Sequence, residues 1–170
     1  MIHLIDLIKK LLAIGYLEID IYPDKLTGDC WVAFLDSMLN YADGFGWTLY
    51  SNSAFMEFEQ FRVNYPYEKW AWKSIVTTNC DSETLYKSYR VSEHSIKVLK
   101  ENSTGIRELE SKGMQDLCFM KNGKLFFAST THEEDYCINF YKTIESNEER
   151  IKFLRESRLA EVANLWILNE

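Results

Sequence analysis

The sequence predicts a single α+β domain in which an antiparallel sheet packs against several helices, and three observations carry that prediction. Apolar residues recur at helical spacing near the start and again near the end of the chain. Between them lies a stretch of strand-like alternation built around Asn122-Gly123, and no strand–helix–strand series calls for parallel crossovers. A chain of 170 residues with 46% hydrophobic and 26% charged side chains can bury a sizeable core. It contains no Pro/Gly/Ser-rich tract at which to divide, so residues 1–170 are read as one globular domain.

The elements follow in order. Residues 2–14 place Ile5, Ile8 and Leu12, with Leu4, Leu7 and Leu11, on one wide stripe, which predicts a helix that Gly15 stops. Leu17–Ile21 alternates apolar and acidic residues as a half-buried strand does, and Pro23-Asp24 and Thr27-Gly28 mark a turn. From Asp29, the residues Trp31, Phe34, Leu35, Met38, Leu39 and Ala42 form the clearest amphipathic helix in the chain. Asp43-Gly-Phe-Gly is expected to break it, with a short strand over Trp47–Tyr50.

Residues 53–78 are ambiguous between helix and strand. The spacing of Ala54, Phe58, Phe61 and Tyr65 favours a helix over 53–63, although Met56–Glu59 also alternates. Pro66 then opens a short helix over 67–73, and Ser74–Thr78 is a β-branched strand. Leu85–Val91 reads as a strand. Ser92 is placed to cap a helix running to about Asn102, with Val91 and Ile96 as a hydrophobic staple.

The hairpin signal is the sharpest local feature. Leu117–Met120 and Leu125–Thr130 flank Asn122-Gly123, the pair favoured where both turn positions need positive φ, so a hairpin is expected over about 117–130. Tyr136–Tyr141 adds a further strand, Ser146 and Glu149 open a C-terminal helical region, and Leu159, Val162, Ala163 and Trp166 carry its later stripe.

The formal charge of −7 disfavours nucleic acid and anionic membranes as partners, because both are bound largely through Lys and Arg. The acidity is concentrated early: residues 1–72 hold ten acidic and five basic side chains, against sixteen and fourteen in 73–170. Cys30, Cys80, Cys118 and Cys137 are widely spaced with no C-x-x-C pair, which predicts free thiols and a cytoplasmic location. The first ten residues lack the pattern of a signal peptide, and no apolar run is long enough to span a membrane.

Phosphate-binding glycine loops, the G-x-S-x-G elbow and H-E-x-x-H are all missing, so no cofactor and no metal are expected. The one dense polar run, Thr130–Asp135, contains the catalytic candidates His132, Glu134 and Asp135. His132 titrates near neutrality and, if the segment is extended, shares a face with Glu134. An ordinary charged loop is the competing reading. Cys118 or Cys137 beside His132 is the thiol version of the same idea.

Thirteen of the 25 aromatic residues lie between Trp31 and Trp72. Trp31 and Phe34 fit the core. Trp47, Tyr50, Trp70 and Trp72 neighbour turns and, with Glu57 and Glu59, are the candidates for an acidic, aromatic protein-binding surface.

Gly44-Phe-Gly-Trp47 and the hairpin Met120–Phe127 running into Thr131-His-Glu133 resemble segments of small uncharacterised bacterial proteins, including immunity proteins of polymorphic toxin systems. The resemblance implies a non-catalytic cytoplasmic module that binds a protein partner, a basic toxin. Two other readings stay open: a small enzyme or metal-binding protein centred on His132, and a homo-oligomeric interaction module.

Overall fold

The computed structural model describes residues 2–49, 56–61, 85–131, 133–141 and 143–164, and the described residues form five α-helices and one seven-stranded sheet. The helices are α1 (Ile2–Ala13), α2 (Gly28–Tyr41), α3 (Glu93–Asn102), α4 (Ile106–Ser111) and α5 (Asn147–Glu156). The strands are β1 (Glu18–Ile21), β2 (Gly44–Leu49), β3 (Leu85–Arg90), β4 (Met114–Lys121), β5 (Lys124–Thr130), β6 (Asp135–Asn139) and β7 (Ala163–Asn164). They are ordered β3-β2-β4-β5-β6-β1-β7, and every neighbouring pair is antiparallel. The fold is therefore α+β. No helix among the described residues is long and apolar enough to cross a membrane.

The hairpin forms where the sequence places it. Asn122 (φ 52°) and Gly123 (φ 75°) both take the left-handed conformation, which matches the turn to the twist of β4 and β5. Ser92 caps α3: its hydroxyl accepts from the Ser95 amide at 3.1 Å while the Ser95 hydroxyl accepts from the Ser92 amide at 2.9 Å. At α5, the Ser146 hydroxyl accepts from the Glu149 amide at 3.1 Å.

Two irregularities in the sheet decide where side chains go. Phe119 pairs with Phe127 but Met120 pairs with Leu125, so Phe126 is an extra residue in β5. The bulge lets two consecutive phenylalanines both meet helices. Phe127 lies 5.0 Å from Phe34 of α2, and Phe126 lies 4.7 Å from Phe153 of α5. In β4, Gly46 opposite Cys118 and Thr48 opposite Gln115 leave one residue over, and Asp116 there is left-handed at φ 54°.

The core lies between the sheet and the helices. Trp31, Phe34, Leu35 and Met38 of α2 are fully buried, with Phe34 packed on Phe119 and Phe127. At the β2–β3 edge, Phe45, Trp47 and Tyr89 are packed under Phe58, which arrives on a 3₁₀ turn over Met56–Phe61. That turn lies inside the helix expected over 53–63. The rest of that span, the helix expected over 67–73 and the strand over 74–78 lie outside the described residues.

Two expectations change. β2 starts at Gly44 rather than Trp47, because Asp43 anchors the strand entry: its amide donates to Met120 O at 2.9 Å, its carbonyl accepts from Val91 N at 3.1 Å, and its carboxylate accepts from the Asn122 amide at 2.8 Å. Pairing on both sides outweighs the poor strand propensity of Gly44 and Gly46. The C-terminal stripe is not helical. α5 ends at Glu156, Arg158 turns left-handed at φ 58°, a 3₁₀ turn covers Leu159–Glu161, and the chain adds β7 beside β1. Leu159, Val162 and Ala163 are buried as expected, although without a helix, and Trp166 lies outside the described residues.

The start of α4 is fixed by a close approach to the start of α2. Gly28 N donates to Thr104 O at 2.8 Å and Ile106 N to Leu26 O at 3.3 Å. A Cβ on Gly105 would stand 2.9 Å from Thr27 Oγ1 and 3.0 Å from the Leu26 carbonyl oxygen. Gly105→Ala is therefore expected to destabilise the fold by about 1–3 kcal/mol in urea unfolding. An unchanged midpoint would mean that this approach is looser than it looks.

Candidate functional site

The sequence candidates separate in space. Trp47 is fully buried, which corrects its placement on a contact surface. β2 is an interior strand between β3 and β4, and Trp47 shares a face with Phe45, so its indole packs 4.6 Å from the Tyr89 ring and 4.9 Å from Phe58. Tyr50, Trp70 and Trp72, the side chains of Glu57 and Glu59, and His132 all lie outside the described residues.

The segment after β5 is a turn rather than an extended run. Glu133 N donates to Thr130 O at 3.1 Å and Glu134 is left-handed at φ 56°, so strand alternation does not apply to it. Glu134 and Asp135 consequently diverge. Glu134 pairs with Arg107 at 3.4 Å, whereas Asp135 starts β6, where burial and then the charges of Asp20 and Glu133 raise its carboxyl above the usual range.

Glu134 belongs to a polar network that no local sequence pattern announces. Arg107 of α4 is its hub: Nε donates to Asp24 at 3.0 Å, and one terminal nitrogen reaches Glu110 at 3.3 Å and the Tyr136 hydroxyl at 3.0 Å. The Tyr136 hydroxyl in turn donates to Glu110, whose side chain is only 7% exposed. Burial, and then that bond, push the Tyr136 phenol well above its usual range. Thr131 joins Asp116 by a reciprocal pair, each amide donating to the other's side-chain oxygen at 2.9 Å.

Asp116 is fully buried, and its Oδ2 has no hydrogen-bond partner among the described residues. The arrangement ties α4, β4, β5 and β6 together. Its guanidinium is shared among Asp24, Glu110, Glu134 and the phenol, so the network clamps these elements together.

A second polar region lies on the opposite face of the sheet. Asp20 pairs with Cys137 across β1 and β6, and Glu18 and Asp135 stand on the same face. Burial, then the charges of Asp20 and Asp135, raise the Glu18 carboxyl. Burial and the same carboxylates push the Cys137 thiol far up, which removes it as a nucleophile at neutral pH. Cys30, Cys118 and Cys137 carry free thiols, and among the described residues no group of three or more His, Cys, Asp or Glu can hold a metal ion.

This acidic face runs into exposed apolar side chains. Ile14 (74% exposed), Tyr16 (40%) and Tyr141 (56%) ring a shallow depression of about 450 Å³ that Glu18 and Asn139 also line. The backbone holds it open: Tyr16 N donates to Leu11 O at 3.0 Å, Phe140 N to Leu17 O at 2.7 Å, and Tyr141 N to the Asn139 side chain at 2.8 Å.

The pH consequence of the crowded carboxylates has a definite sign. Glu18 has a folded-state pKa above its unfolded value, so folding favours its protonated form. That contribution is complete below the unfolded pKa and is lost as pH rises through the folded one. Glu18→Gln is thus expected to raise the urea midpoint at pH 7, with the gap closing as pH falls towards about 4. Equal midpoints at pH 7 would contradict the cost, from burial and from Asp20 and Asp135, of keeping the Glu18 carboxylate charged.

No protein-family model, curated protein or solved structure matches this chain.

Proposed function

We propose that this chain is a non-catalytic protein-binding module that holds a basic partner on the surface formed by Ile14, Tyr16 and Tyr141 with Glu18, Asp20 and Asp135. The observation that supports the reading is the joining of the two halves of a contact site at Glu18. Exposed tyrosine and isoleucine side chains offer apolar area to desolvate, and the neighbouring carboxylates repel one another in a way that a Lys- or Arg-bearing partner relieves. The net charge of −7 adds long-range steering of a cationic protein. Under the resemblance to immunity proteins, that partner is a toxin.

The test places a photo-crosslinking amino acid at position 141 and, as control, at Val32 on α2, which is 42% exposed. Irradiation in cells that naturally express the chain is expected to give one heterologous adduct from position 141 and none from 32. The captured protein should be basic. Adducts only from position 32, or an acidic partner, would refute the reading. A self-adduct from 141 would replace it with homo-oligomerisation.

A further inference from the structure

A cavity of about 460 Å³ opens between α1, α5 and the Leu159–Glu161 turn, away from the surface discussed above. Its floor is apolar, built from Ile5, Leu154 and Ala160, and its mouth carries Lys9, Arg155 and Arg158. A volume of this size falls in the range of small-molecule sites, roughly 300–1,000 Å³.

The three cations are unequal in their commitments. Lys9 pairs with Asp6 at 3.2 Å, and Arg158 engages Glu161 through two bonds of 2.9 and 2.7 Å. Both carboxylates at the mouth are thereby neutralised. Arg155, on the last turn of α5, makes no ion pair among the described residues. Arg158 also reaches Asp29 at 3.9 Å, so Arg155 is the one lining cation left without an ion pair among the described residues, and it stands beside apolar surface.

The backbone at the rim also departs from the ordinary. Arg158 is held left-handed at φ 58°, a conformation that costs a non-glycine residue energy, and this sharp turn brings Arg158, Ala160 and Glu161 back over α1.

We propose that this cavity binds an aliphatic carboxylate, with the hydrocarbon tail on Ile5, Leu154 and Ala160 and the carboxylate at Arg155. An apolar floor alone would accept any hydrophobe. The Arg155 guanidinium, without an ion pair among the described residues, selects the anion, since a planar, two-oxygen acceptor matches its fork of donors. Binding requires no reaction and no metal.

The experiment is calorimetric titration of the intact chain with hexanoate, octanoate, decanoate and decanol, each below its micellar concentration. Saturable one-to-one binding of decanoate is expected, with affinity rising by about fourfold for each methylene added. Arg155→Ala should weaken decanoate by about tenfold or more and leave decanol unchanged. Arg155 is exposed, so the variant is expected to keep the wild-type melting temperature, which serves as the folding control. Lys9→Ala, also at an exposed position, gives a second, smaller loss. The proposal is overturned by absence of saturable decanoate binding, by decanol binding as tightly as decanoate, or by an Arg155→Ala variant with undiminished affinity.

Discussion

Trp47→Ala is expected to lower the unfolding free energy by about 3–5 kcal/mol, whereas Trp47→Phe stays within about 1.5 kcal/mol of the parent. The large loss follows from complete burial and from ring contacts with Phe45, Phe58 and Tyr89 that no smaller side chain replaces. The small loss follows from the indole nitrogen: Nε1 is buried with no hydrogen-bond partner among the described residues. Phenylalanine gives up packing area but also removes a desolvated donor, and an unmet donor costs about 1–3 kcal/mol, so the two effects largely offset. Urea unfolding of both variants checks the pair. A loss below about 1 kcal/mol for Trp47→Ala would return this residue to the surface.

The second large effect is expected at the clamp around Arg107. Arg107→Met should cost about 2–4 kcal/mol, because it leaves the buried Glu110 carboxylate facing only the Tyr136 hydroxyl and Thr131. The value lies below the range for a fully buried pair, since 34% of the Arg107 side chain remains exposed. Adding Glu110→Gln to Arg107→Met should restore part of the loss, as the stranded charge is then gone. A double-mutant cycle measured by urea unfolding reads this directly, and additive losses would contradict the coupling.

Legibility in the sequence followed the range of the physics involved. Asn122-Gly123 announced its hairpin because the turn demands two positive φ values, and Ser92 announced α3 because helix capping is settled within three residues. The α2 stripe was equally plain, since one face had to be buried. The start of β2 is not legible locally because Gly44 and Gly46 are held by β3 and β4, which lie far along the chain. The bulges at Asp116 and Phe126 leave no composition signal, yet they decide which side chains reach the network and the helices.

The site was harder still. Asp24, Arg107, Glu110, Asp116, Thr131 and Tyr136 meet only after folding, and nothing in the Ser103–Gly113 stretch has a period strong enough to single out Arg107 or Glu110. Density of aromatics points to residues 31–72, where Trp31 is core as expected and Trp47, expected at a contact surface, is core as well. The exposed Ile14, Tyr16 and Tyr141 carry no such density. Their exposure comes from the turn at Gly15 (φ 94°) and from the end of β6, which present apolar residues outward regardless of the helical stripe they extend.

The most direct test of the protein-binding account is hydrogen exchange of the chain alone and in complex with the protein captured from position 141. The account expects new protection over residues 14–18 and 139–141, lost together with affinity when Glu18 and Asp135 are both changed to lysine. Full affinity in that double variant, or protection that leaves both segments unchanged, would contradict it.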